Sequence, residues 1–190
     1  MTKTFSVRAS IEDIDKGDGD AFAQHVLSIW RRTEGNLTSE YIRAFPQMIL
    51  FDGSPKVNDS PDLLECGEEA LSVKILGDGW AENRDKAREF LGRDYCSVVG
   101  RDYFDATTQQ LPMYSIVQAE MQNTAGTTIN VRYQRLILPV RTMGGAHFLF
   151  GYSFWYQKER QVQAALPTSE SPVRRKSETQ DYANLFLPAQ

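Results

Sequence analysis

Three alternating apolar segments follow one another over Met113–Gln122, Thr127–Arg141 and His147–Tyr156. Alternation of that length marks strands with one face buried and the other different in character. Asn123-Thr124-Ala125-Gly126 and Met143-Gly144-Gly145 separate them. Both links are short and contain glycine, which fits hairpins. The spacing therefore predicts a three-stranded antiparallel meander, around which the rest of the chain must arrange itself.

Upstream, Met48, Ile49, Leu50 and Phe51 form a continuous apolar run, which predicts a further, well-buried strand over Gln47–Asp52. Asp52–Pro61 carries Gly53, Pro55, Asn58, Asp59 and Pro61 and reads as a loop. A short strand is expected over Asp62–Cys66. Helical patterns follow at Glu68–Leu76, with Gly77 as its stop, at Ala81–Leu91, and at Tyr95–Thr107, where Val99 and Tyr103 are four apart. The order is strand, strand, several short helices, then three strands, an α+β pattern.

Before this block, Phe22, Val26, Ile29 and Trp30 fall on one face of a helix capped by Asp18 or Asp20. Thr38-Ser39-Glu40 opens a second helix through Ala44, which Pro46 ends. Residues 1–17 are polar and mixed and are expected to form a flexible arm. The chain then divides into this arm, a helical extension over 18–45, a domain over 46–158 and a mostly disordered tail over 159–190. The tail holds the linker-like Pro167–Pro172, the basic Arg174-Arg175-Lys176 and the apolar Leu185-Phe186-Leu187.

The chain has 190 residues and a formal net charge of −4, so it offers no bulk basic field for nucleic acid or anionic lipid. No stretch approaches the ~20 apolar residues of a membrane span, and the N-terminus has no signal-like apolar run. A cytoplasmic protein is expected. Cys66 and Cys96 are too few for a disulfide scaffold, although one bridge between them is possible.

The order of elements resembles the PAS fold, and in detail the stand-alone bacterial PAS-like family widespread in alphaproteobacteria. Ile29-Trp30-Arg31, Phe45-Pro46, Asp62-Leu63-Leu64 to Gly67-Glu68-Glu69, and Leu76-Gly77 to Trp80-Ala81 carry the likeness. Tyr133-Gln134-Arg135-Leu136-Ile137-Leu138-Pro139 is its strongest part. It covers roughly residues 22–157. The resemblance implies a five-stranded antiparallel sheet with short helices on one face, enclosing a small cavity, and a helix before the domain that often serves dimerisation. It implies a sensory or regulatory module without a fixed cofactor. No kinase, cyclase or DNA-binding block follows, so output is expected through contacts with a signalling protein partner.

No catalytic motif emerges, and no metal-ligand spacing. Haem is disfavoured because no histidine lies between residues 26 and 146, leaving only His25 and His147. Flavin is disfavoured because Asp94-Tyr95-Cys96-Ser97 does not match the flavin-site pattern. Trp80, Tyr103, Tyr133 and Arg135 are the pocket candidates, for a small apolar or amphipathic ligand. Tyr133 and Arg135 share a sheet face. Arg135 either binds a ligand carboxylate or phosphate, or pairs with an internal acid such as Glu68, Glu69 or Glu120; the pairing is favoured. Phe148, Phe150, Tyr152, Phe154 and Tyr156 share one face of the last strand. If that row faces outward it needs a cover, and Phe22, Val26, Ile29 and Trp30 are the candidates, in cis or from a second copy in a homodimer. A pure adaptor with a filled cavity and a small cavity-based isomerase or hydrolase are the alternatives to the sensor.

Overall fold

The computed structural model describes residues 4–54, 56, 57, 59–77, 79–82 and 91–156. Six strands form one antiparallel sheet: β1 (Phe5–Ala9), β2 (Ile49–Asp52), β3 (Leu63–Cys66), β4 (Met113–Gln122), β5 (Thr128–Arg141) and β6 (His147–Trp155). Their order across the sheet is β1-β4-β5-β6-β2-β3. The last three strands are the expected meander, joined by hairpins, with β2 and β3 added beyond β6. The arrangement β3-β2-β6-β5-β4, with helices between β3 and β4 on one face, is PAS-like.

The sixth strand corrects the expectation of five. Residues 5–9 are not a loose arm but pair along β4, from Phe5 opposite Gln118 to Ala9 opposite Tyr114. The reason lies in the alternation of Phe5, Val7 and Ala9 with Ser6 and Arg8. Ser6 and Arg8 turn toward the helical flank, where Asp102 accepts from both. Residues 11–18 then form helical turns that bury Ile14 completely.

Among the described residues, the longer helices are α1 (Ala21–Thr33), α2 (Ser39–Ala44), α3 (Leu71–Leu76) and α4 (Arg93–Gln109). Asp20 caps α1, its carboxylate accepting from the Ala23 amide at 2.8 Å. The amphipathic stripe of α1 buries Ala23, Val26, Leu27 and Ile29. The expected polar helix over 81–91 lies mostly outside the described residues, and so does the tail over 159–190.

The helices divide between the two faces of the sheet. α1 and α2 pack against Tyr114, Leu136, Leu138, Val140, Phe150, Tyr152 and Phe154. α3 and α4 pack against Ile49, Phe51, Val117, Ala119, Val131, Tyr133, Ile137 and Leu149. The 18–45 segment is therefore half of the core, not an appendage. It covers the aromatic row of β6 within the same chain. Phe22 lies 4.7 Å from Tyr152, centroid to centroid, and Tyr41 stacks on Phe150 at 5.3 Å. The Tyr152 hydroxyl donates to Asp20 at 2.7 Å. With this cover in place the aromatic row no longer calls for a partner chain.

Pro139 sits in β5, a strand with neighbours on both sides, where a missing N–H would normally break the ladder. The pairing of β4 with β5 ends at Met113 opposite Ile137, so Pro139 faces only β6. The vacated side is taken over by the end of α1 and the chain just after it. Trp30 Nε1 donates to the Pro139 carbonyl at 2.7 Å. The Leu37 amide donates to the Arg141 carbonyl, and the Arg141 amide to that of Gly35. α1 is thus stitched to the sheet by backbone as well as by its apolar stripe.

Candidate functional site

The second core, between the sheet and α3 and α4, is not completely filled. A cavity of about 50 Å³ is lined by side chains of β2, β4, β5, β6, α3 and α4, with Ser60, Trp80 and Leu91 from the connecting segments. The sheet leaves this space because small residues stand next to large ones. Arg135 is flanked in register by Ser115 on β4 and Ser153 on β6. Two residues along β6 is Gly151, where an added Cβ would meet the Phe51 ring at 3.0 Å. On the other side, Gly100 lets α4 press against the loop before β3; a Cβ there would come 2.4 Å from the Asp59 carbonyl oxygen.

The four expected pocket residues come together here. Trp80, Tyr103, Tyr133 and Arg135 all line the cavity. All four are buried, Arg135 with 1% of its surface exposed. Trp80 also lines a shallow outer groove with Leu64, Glu65, Cys66 and Val73. It stands as a wall between groove and cavity, so it both lines the pocket and closes it. The cover candidates Phe22, Val26, Ile29 and Trp30 lie on the opposite face of the sheet, away from this cavity.

Arg135 has an internal acid, as expected, but a different one. Its Nη2 donates to Asp102 Oδ2 at 2.8 Å and to Ser115 Oγ at 3.3 Å. Glu68 and Glu69 are exposed. Glu120 lies one residue out of phase with Ser115, Val117 and Ala119 on β4, and so on the opposite face. Asp102 is shared: Ser6 Oγ donates to Oδ2 at 2.7 Å and Arg8 Nε to Oδ1 at 3.0 Å. Arg8 also pairs with Asp105. A line of alternating charge, Arg135, Asp102, Arg8, Asp105, therefore runs from the cavity to the surface beside β1. Burial pushes the Asp102 carboxyl up, but Arg135, Ser6 and Arg8 outweigh it and hold it below the ordinary carboxylate range. Burial works against charge on Arg135 as well. The oxygens of Tyr103, Tyr133, Tyr95 and Asp102 around it prevail, so the guanidinium remains charged.

Among the described residues, Nε and Nη1 of Arg135 have no hydrogen-bond partner although both are buried. The Tyr103 ring lies under the guanidinium, 4.7 Å from Cζ to centroid. Tyr95 and Tyr133 share a hydroxyl–hydroxyl hydrogen bond. Burial pushes the Tyr103 and Tyr133 phenols up to about 12 and that of Tyr95 well above its ordinary value. All three are neutral near pH 7. The polar end of the cavity is thus one buried cation among neutral phenols, and the rest of the lining is apolar apart from Ser60, Ser72 and Ser153.

Tyr95 and Asp102 escaped the sequence reading as site residues. Asp102 carried a usable signal: it falls three after Val99 and four before Ala106, inside the apolar stripe of α4. An aspartate in that position needs a buried cation. His25 and His147 are both exposed. Cys66 and Cys96 are not joined in a disulfide. No described helix is long and apolar enough to cross a membrane.

No family model matches the chain, and no curated protein does. Among solved structures, the chain is similar to an RNA-binding Light-Oxygen-Voltage receptor, at 14% identity and a TM-score of 0.43. The likeness covers 86% of this chain and 44% of the receptor, so the chain spans less than half of that protein. The PAS-like description rests on the strand order and helix placement above, not on this neighbour.

Proposed function

We propose that the chain is a PAS-like sensory or regulatory module that works by taking a small ligand into the cavity between the sheet and α3–α4. The observation that carries this is the unfilled space beside the unpartnered Nε and Nη1 of Arg135. Buried polar atoms are almost always satisfied, and an exception points to a missing partner. The reading is non-enzymatic: among the described lining residues there is no carboxylate or imidazole to act as a base, and Asp102 is held by three donors. A cytoplasmic setting and a signalling protein as the recipient of the output belong to the same reading.

Two routes lead from the cavity outward. Tyr133 and Arg135 face the cavity, while Gln134 and Leu136, their neighbours on β5, face α1 and α2. Gln134 Nε2 donates to the Asp18 carbonyl at 2.8 Å, just before the α1 cap. A shift of β5 on ligand entry therefore reaches α1 through one layer of sheet. The second route is Asp102, which ties Arg135 to Ser6 and Arg8 on β1. Ligand binding would act by favouring one packing of these elements over another.

A thermal-shift and binding screen of small compounds tests the proposal, with Val99→Met as the filled-cavity control. Val99 lines the cavity, and methionine adapts to irregular gaps. Compounds that stabilise the native chain and lose their effect in Val99→Met support it. A screen without any cavity-dependent binder contradicts it and favours a module acting through protein contacts alone.

A further inference from the structure

At the polar end of the cavity the Arg135 donors outnumber the acceptors that reach them, and this bears on the chemistry of what enters. A guanidinium has five N–H donors and no acceptor. Nη2 of Arg135 is used by Asp102 and Ser115, which leaves the Nε–H and both Nη1–H protons without an acceptor among the described residues. The Tyr95–Tyr133 pair uses one hydroxyl proton between its two oxygens and leaves the other to donate elsewhere. Water can accept from these N–H groups, but it brings two donors of its own that need acceptors in turn. A group that only accepts fits better, and a charged acceptor makes hydrogen bonds roughly twice as strong as a neutral one. Asp102 does not cancel this preference, since it divides its charge between Arg135 and Arg8.

Size limits the ligand further. The cavity measures about 50 Å³. An apolar protein cavity of ~150 Å³ takes benzene, and a water needs ~10–15 Å³. Those two figures bracket the space at about two to five heavy atoms. The Tyr103 ring covers one face of the guanidinium, so approach is in its plane, where the donors point.

We propose that Arg135 is the recognition group of a small-oxyanion site, and that the cavity takes a compact carboxylate or nitrate-like anion held by the Arg135 N–H groups with a phenol of the Tyr95–Tyr133 pair as a further donor. This rests on the ligand-binding reading above and names the class of that ligand. The anion competes with Asp102 for the Arg135 charge. Its entry loosens the hold of Asp102 on Arg135 and leaves the carboxylate to Ser6 and Arg8, so that β1 becomes the element whose anchoring reports occupancy.

The test is a titration of the full chain, labelled at arginine nitrogen, followed by NMR at the buried Arg135 Nε–H. Sodium formate, acetate and nitrate are added against sodium chloride at equal ionic strength, with acetamide as the neutral counterpart of acetate. The expected result is a saturable shift of the Arg135 Nε–H signal with at least one oxyanion, at millimolar affinity, which is what about two to five heavy atoms support. Chloride and acetamide leave the signal in place. Val99→Met, in which Arg135 is untouched, loses the response at least tenfold. Two outcomes overturn the proposal in distinguishable ways. If acetamide titrates the signal as well as acetate does, the cavity is a ligand site but not an anion site. If neither anions nor neutral compounds produce a saturable shift, the ligand-binding reading falls with the proposal and a module acting through protein contacts alone is favoured.

Discussion

Replacing Asp102 by asparagine removes a charge and almost no volume, and its cost measures how far the buried cluster is electrostatic. Asp102 has 6% of its side chain exposed and Arg135 has 1%. The substitution leaves Arg135 charged with Ser115 as its one certain acceptor, at 3.3 Å. Breaking a buried ion pair by removing one partner costs about 3–5 kcal/mol. The amide oxygen of asparagine can still accept one hydrogen bond, which places the expected loss near the lower end, at about 3 kcal/mol. Arg8 adds little, because its side chain is 42% exposed and exposed pairs contribute at most about 1 kcal/mol. Arg135→Met alone should cost less than Asp102→Asn, since Asp102 keeps Ser6 and Arg8. In the double variant the orphaned charge is gone, and the two losses should fall short of their sum by about 1–3 kcal/mol. Urea unfolding of the four proteins gives the cycle. Additivity within about 0.5 kcal/mol, or an Asp102→Asn loss under about 1 kcal/mol, refutes the buried-pair reasoning.

The same carboxylate gives a pH dependence. Its folded value is depressed, so its contribution is present above the unfolded value of about 3.9 and is lost as pH falls through the folded one. The stability gap between wild type and Asp102→Asn should therefore close in acid, below about pH 4. At the alkaline end the sign reverses. Tyr103 and Tyr133 are raised to about 12 in the folded chain, so stability should hold to about pH 10 and decline between there and 12. Tyrosinate absorbance should rise in two stages, the later one coinciding with unfolding. Trp30→Phe removes the hydrogen bond to Pro139 and should cost about 0.5–1.5 kcal/mol by urea unfolding while leaving cavity binding unchanged. Arg135→Gln should weaken the fixing of β1, read as faster hydrogen exchange at amides of residues 5–9 than in β5; equal change in both strands would point to global destabilisation instead.

The two faces of the sheet differed in how legible they were. The period-2 pattern of residues 113–156 placed β4, β5 and β6 within a residue or two, because each strand keeps one buried face along its whole length. The stripe of α1 was equally visible and its cap was narrowed to Asp18 or Asp20, since both features are local. The split of the aromatic and small-residue rows of β6 between α1 and the cavity could not be read, because both faces are buried and alternation is then silent about direction. The row Leu149, Gly151, Ser153 did contain a hint: small residues in mid-strand leave space. Asp102 was missed because it is polar in a helix whose inner face is otherwise apolar, and its partners, Ser6 and Arg135, are 96 and 33 residues away. β1 was missed for the same reason. Five residues of alternation mean little until the helix that receives Ser6 and Arg8 is known.

The most direct test of the central claim is a high-resolution crystal structure of the chain grown with and without sodium formate. The expected result is ordered density in the cavity beside Trp80, Tyr133 and Arg135, within hydrogen-bond reach of Arg135 Nε or Nη1, whose shape changes between the two crystals. A cavity closed by the protein's own side chains in both, with Nε and Nη1 satisfied from within the chain, would contradict a ligand site.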